Sequence, residues 1–285
     1  MTRAKSFVLW TLLVSVTYAL VFILFLLPRG VPFIIMATGY MLLPGIISLV
    51  LLKKEKRSLK ELNIFFRPNR WFVFAWLIFV VLSFLTIPVN TIFFDANFSL
   101  SMEGFFEQYR DLLSPEQFLE MQEQVINTPW LPLLLMLGQG LVAGLTINAF
   151  FAFGEELGWR GYLYQELQSY GFWKNSLITG FIWGIWHTPM IMLGHNYPGY
   201  PFIGTLMMII WCILLSPLFT LIRQKSGSVI AAAIAHGTLN AVAGLSVIYV
   251  VGGGLLLNGI LGLSGFVLLA VVNLILYFFQ RKGVL

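Results

Sequence analysis

Six polar side chains stand out against a very apolar background: Glu155, Glu156, Arg160, His187, His236 and Asn240. The run Gly154-Glu155-Glu156-Leu157-Gly158-Trp159-Arg160-Gly161-Tyr162 sets two adjacent carboxyls beside a guanidinium, and no acidic residue follows Glu166. A carboxylate inside a lipid-crossing segment costs roughly 2.5–3.5 kcal/mol, so such residues usually mark function. On a helix, Glu156 and Arg160 are i,i+4 neighbours and can pair. Glu155 lies about 100° away and is left without that partner. One charge is then stabilised by pairing and the other carboxylate is free to take a proton. Alone, the segment fits an ion pair anchoring a helix end, with Arg160 reaching the head groups, about as well as it fits catalysis.

The histidines shift the balance. His187 sits within Ile182-Trp183-Gly184-Ile185-Trp186-His187-Thr188-Pro189, and His236 within Ala231-Ala232-Ala233-Ile234-Ala235-His236-Gly237-Thr238-Leu239-Asn240. Asn240 follows His236 at i+4 and shares its face. A single buried histidine is more often a packing residue, but depth argues for these two together. At 1.5 Å per residue, His187 lies about 20 Å beyond Lys174, and His236 about 17 Å beyond Lys225. Glu155 lies about 18 Å from a helix end near Leu167. Counted from Trp130, Glu155 would instead fall near the inner interface, which requires a tilted or glycine-broken helix. His195, in His195-Asn196-Tyr197-Pro198-Gly199, reads as a surface residue of an outer loop.

The elements that must hold these groups are membrane helices. The chain has 285 residues, 59% hydrophobic and 10% charged, with mean hydropathy +0.87, against roughly 25% charged residues in a soluble domain. Apolar stretches predict an all-α polytopic bundle of about eight spans, near 6–27, 31–52, 71–94, 130–153, 174–194, 202–222, 228–251 and 255–279. The first lacks a small-x-small cleavage site and reads as a retained span. The whole chain, 1–285, reads as one integral membrane domain, with a motif-bearing core at about 130–251. Segment 95–128, rich in Asp and Glu and carrying Phe105, Phe106, Tyr109, Leu112 and Leu113, predicts amphipathic helices on the outer surface or a connecting loop.

With an even number of spans, all of the 17 Lys and Arg except Arg29 and Arg110 fall on one side, so both termini are expected to be cytoplasmic. That distribution accounts for the net charge of +5 without nucleic acid. Residues 53–70 read as a solvated, lipid-facing loop. Gly140-x3-Gly144 and Gly180-x3-Gly184 would let helices approach closely. Cys212, the sole cysteine, rules out intrachain disulfides and reads as apolar filler.

Glu155-Glu156-x3-Arg160, then Trp183-x3-His187, then His236-x3-Asn240, resembles the CPBP family: the CAAX proteases and bacteriocin-processing enzymes, also called Abi, which include the type II CAAX prenyl endopeptidases. The motifs occupy roughly 150–242 in the family's order, with Trp183 where the family often has Phe, a change that keeps an aromatic wall. The resemblance implies a peptidase active within the bilayer of, here, a prokaryotic plasma membrane. Its substrate would be a membrane-anchored peptide or protein, cut near the C-terminus in the CAAX branch. It implies that Glu155 and His187 activate water and that His236 with Asn240 stabilises the oxyanion. No cofactor is the reading taken. Zinc held by Glu155, His187 and His236 is the alternative, although no His-Glu-x-x-His helix is present. A non-enzymatic membrane protein, either a bacteriocin immunity factor or a proton-coupled transporter, is the rival reading.

Overall fold

A computed structural model describes residues 2–103, 105–106 and 114–283. It is an α-helical bundle. Inside hydrocarbon every backbone polar group must be satisfied within the segment, and helices do this. In chain order these are α1 (Arg3–Val21), α2 (Phe33–Lys54), α3 (Arg70–Phe93), α4 (Pro115–Asn127), α5 (Trp130–Leu145), α6 (Ile147–Glu156), α7 (Gly171–Trp186), α8 (Pro201–Ser226), α9 (Val229–Val242) and α10 (Leu263–Arg281). Polar caps start several of them. Asn69 accepts from the Trp71 amide at 2.9 Å and Ser228 from the Ile230 amide at 3.1 Å. Two three-residue strands, β1 (Ala96–Phe98) and β2 (Val250–Gly252), pair antiparallel with Ala96 opposite Gly252.

Six helices are long and apolar enough to cross a membrane, or seven if α4 and α5, bent by 99°, count as one broken span. This is an integral, multi-pass membrane protein. Six or seven is fewer than the eight spans expected from sequence, and contacts at the helix ends group the described helices by end. At one end Arg3 meets Glu55 at 3.6 Å, Arg57 meets Glu166 at 2.6 Å, and the Trp173 and Tyr277 rings lie 6.0 Å apart. At the other, β1 meets β2 and the Tyr197 hydroxyl donates to the Leu261 carbonyl at 2.8 Å. The expected spans near 130–153 and 174–194 are not met by unbroken helices of that length. The first is broken at Thr146 and the second stops after 16 residues. The last pass begins at Leu263 rather than near 255, because positive-φ glycines at 252, 253, 254 and 259 hold the preceding segment out of a helix.

Both small-x3-small pairs lie at close helix crossings. A Cβ on Gly144 would sit 2.8 Å from Thr238 Cα of α9, and one on Gly184 would sit 2.5 Å from Ile209 Cα of α8. Backbone approaches this tight exclude any larger side chain. The segment 53–70, read as a solvated loop, keeps Lys53, Lys54, Lys56, Lys60, Arg67 and Arg70 exposed but is anchored at a few points. Arg57 bridges Glu55, Glu61 and Glu166, Leu62 is buried, and the Phe65 carbonyl accepts from Ser228 Oγ at 2.6 Å. In the acidic segment, α4 packs Val125 against Met102, Phe106 and Tyr249 and leaves Glu116, Glu120 and Glu123 exposed. Tyr109, Leu112 and Leu113 lie outside the described residues.

Candidate active site

The helix that carries Glu155 is broken at Thr146. Its backbone (φ −117°, ψ −102°) ends α5 and restarts the helix as α6. The break falls two residues after Gly144 rather than at a glycine. The helix then widens to a π-helical stretch over Leu157–Leu163. These two departures carry Glu155 into the bundle while keeping Arg160 below Glu156.

The adjacent carboxyls do different things. Glu156 is fully buried, and its Oε1 accepts from Arg160 Nη1 at 3.1 Å and from His236 Nδ1 at 2.8 Å. Arg160, 1% exposed, has its guanidinium carbon 4.5 Å from the ring centres of both Trp183 and Phe219, and Nη2 reaches Ser216 Oγ at 3.4 Å. The pair is thus sealed inside the protein, with cation–π contacts in place of head groups. Glu155, 2% exposed, takes no part in it. Its Oε2 accepts from the Trp183 indole Nε1–H at 2.8 Å.

Trp183 organises the site. Its carbonyl accepts from His187 Nδ1–H at 2.8 Å, and its ring lies 5.7 Å from that of His187 and 5.5 Å from that of His236. A carbonyl can only accept, so Nδ1 of His187 carries the proton and Nε2 presents a lone pair. The change from Phe to Trp therefore supplies a hydrogen-bond donor that a Phe wall lacks. Tyr40, whose hydroxyl donates to the Trp186 carbonyl at 2.7 Å, closes the side formed by α2.

Glu155, His187, His236 and Asn240 line one cavity of about 320 Å³. Glu156 and Arg160 lie behind its wall. The same cavity is lined by Tyr40, Asn148, Trp211, His195 and Asn196, none of which sequence reasoning selected. An amide at 148 inside an otherwise apolar run was the available signal for the second of these. His195 is half-buried at the cavity rim, 6.1 Å from the Phe33 ring, and not the surface residue expected. Asn148 and Asn240 also line a neighbouring cavity of about 400 Å³ along α5. Cys212 is buried, as expected of a filler, with Sγ 3.9 Å from His187 Nδ1. Among the described residues no three His, Cys, Asp or Glu side chains gather closely enough to hold one metal ion, so the three-ligand zinc set does not fit this arrangement.

The family model described as type II CAAX prenyl endopeptidase Rce1-like matches residues 129–242, the stretch that holds all six of these side chains. Over this segment the chain is similar to the Rce1-like family. A curated relative, CAAX prenyl protease 2 of Methanococcus maripaludis, is 33% identical over 175 residues, covering 59% of this chain. The alignment takes in 54% of the relative, so the chain spans about half the length of that protein. The Rce1-like segment runs from α5 to the end of α9, and its matched boundaries frame the cavity floor.

Proposed function

We propose that the chain is a membrane-embedded endopeptidase that hydrolyses a peptide bond in a membrane-associated peptide or protein. The observation that carries this reading is the convergence of Glu155, His187, His236 and Asn240 on one cavity within the Rce1-like segment. A water between Glu155 and His187 gives a proton to the carboxylate as its oxygen attacks the substrate carbonyl carbon. The resulting oxyanion is held by Asn240 and by Nε2 of His236. With Nδ1 donating to Glu156, the His236 ring donates from Nε2 when doubly protonated, a cation that the adjacent Glu156 carboxylate complements. Collapse of the tetrahedral intermediate breaks the C–N bond, and the proton taken by Glu155 passes to the leaving amine. A prenylated CAAX-type tail is the finer form of the substrate, suggested by the name of the Methanococcus relative. No step is routed through a metal.

The whole described chain acts as one domain, with 130–251 as its reacting core and both termini on the cytoplasmic side. The transporter reading lacks the paired repeats and correspondingly interrupted helices in two halves that transporters show. Purified protein incubated with a peptide library, with and without chelator and read by mass spectrometry, tests the reading. Cleavage by the wild type that is abolished in Glu155→Ala is the expected result. Full cleavage by Glu155→Ala would refute the assigned base, and no cleavage by the wild type would favour an immunity factor.

A further inference from the structure

The cavity of about 400 Å³ along α5 adjoins the one that holds Glu155, and the two share Asn148 and Asn240 in their linings. Gln139 of α5 adds a third primary amide to it. Its walls are low where Gly140, Ala143 and Ala241 line it, and among the described residues no charged side chain does.

These three amides are unspent. Among the described residues the side chains of Gln139, Asn148 and Asn240 make no hydrogen bond to the protein. Other amides in the spans are used: Asn175 donates to the Tyr164 carbonyl at 2.9 Å and Asn273 to the Leu214 carbonyl at 2.8 Å. Asn90 of α3 also lacks a partner, but it is fully buried and lines neither cavity. An amide left bare inside a bilayer costs free energy, and such residues mark sites. A primary amide offers two donors and an acceptor, the complement of a peptide group. An extended peptide in the same place has the converse need, because water is not there to meet its N–H and C=O groups. An acyl or prenyl chain would gain nothing from three amides, and an anion would find no cation in this lining.

We infer that the second cavity is a main-chain subsite, in which Asn148 and Gln139 hydrogen-bond the extended backbone of the substrate on one side of the scissile bond. Its reach is short. Gln139 lies six residues before Leu145 at the end of α5, about 9 Å at 1.5 Å per residue, which an extended chain covers in about three residues. Asn240, in the lining of both cavities, joins this subsite to the reacting groups. The inference deepens the peptidase reading above and takes the identity of the substrate from it.

Amide-to-ester exchange along the best library peptide tests the subsite. Each exchange removes one backbone N–H and weakens one carbonyl acceptor while keeping the side chains. In the wild type, exchanges within about three residues of the cut, on one side only, are expected to raise KM roughly fivefold to tenfold with kcat retained, the value of one neutral hydrogen bond. Gln139→Leu should raise KM for the unmodified peptide by a similar factor and then show no further penalty from the ester at the matching position. Unchanged KM in Gln139→Leu, or penalties that multiply at every position, would overturn the subsite while cleavage itself leaves the peptidase reading intact. A second measurement needs no cleavage: the peptide library is retained on Glu155→Gln protein, with and without Gln139→Leu, and read by mass spectrometry. Weaker retention in the double variant supports the subsite even if no peptide is cut. Equal retention overturns it, and retention of no peptide by either protein overturns both readings.

Discussion

Trp183→Phe isolates one hydrogen bond at the centre of the site. Phe keeps an aromatic ring facing Arg160 and keeps the carbonyl that orients His187, but it removes the indole N–H that donates to Glu155 at 2.8 Å. A hydrogen bond to a charged group is worth about 1.5–3 kcal/mol, and more of this survives where water is absent. If the bond holds the Glu155 carboxylate in its reacting orientation, its loss appears in the barrier. At 1.36 kcal/mol per decade, kcat falls roughly tenfold to 150-fold. KM should change little, since the indole edge is occupied by Glu155 rather than presented to substrate. Trp183→Leu removes the ring as well and adds the loss of a buried cation–π contact with Arg160, about 2 kcal/mol. That second loss is expected in thermal stability as well as in rate. The assay is steady-state cleavage of the best library peptide, with unfolding in detergent followed in parallel. A Trp183→Phe enzyme with kcat within about twofold of wild type, well under the loss that a charged hydrogen bond predicts, would refute the positioning role.

Three further outcomes follow from the same geometry. Glu156→Gln leaves Arg160 without its buried carboxylate and is expected to cost about 3 kcal/mol or more of stability, whereas Glu155→Gln should abolish cleavage and melt like wild type; equal melting of the two variants would contradict the division. Asn148→Leu removes an amide shared by the two adjoining cavities and should raise KM roughly fivefold to tenfold, the value of one neutral hydrogen bond to the substrate backbone, with kcat retained. Arg57→Ala should lower stability by about 1–3 kcal/mol, because Arg57 bridges three carboxylates while only 13% exposed. The Arg57 guanidinium holds the Glu61 carboxyl below the usual carboxylate range; a lowered folded value stabilises fully above the unfolded value near 4.3 and is lost as pH falls through the folded one, so the gap between wild type and Arg57→Ala narrows in acid.

Much of the architecture was legible because lipid leaves so few options. Long apolar runs had to be helices, and the glycine pairs at 140/144 and 180/184 had to mark close crossings. The Glu156–Arg160 pair followed from spacing alone. What composition could not reveal were local departures from the ideal helix. Thr146 is an ordinary helix residue by type, and its backbone is set by the packing of α5 and α6 against α9. The π-helical turn at 157–163 has no sequence signature either. His195 looked like loop surface because its burial depends on α2, more than 150 residues earlier in the chain. The anchoring of the solvated basic loop could not be read because its partners, Glu166 and Ser228, are distant in sequence.

The two neighbouring carboxylates show why the breaks matter. On one unbroken straight α-helix, Glu155 and Glu156 would point about 100° apart at nearly the same depth, and Glu155 would sit close to the interface where water meets it freely. The helix restarts at Thr146 with both carboxyls buried in the bundle, and over the wider π turn Arg160 pairs with Glu156. The cost of burying Glu156 is then offset by a guanidinium and an imidazole, both fixed by ring contacts with Trp183 and Phe219. Glu155 receives no cation within hydrogen-bond reach, only an indole N–H, and faces the cavity. Glu156 is engaged through Oε1 by a guanidinium and an imidazole. Glu155, held by a single neutral donor, lines a cavity of about 320 Å³, and this asymmetry, built from backbone geometry rather than residue type, is what favours Glu155 over Glu156 for the proposed role of base.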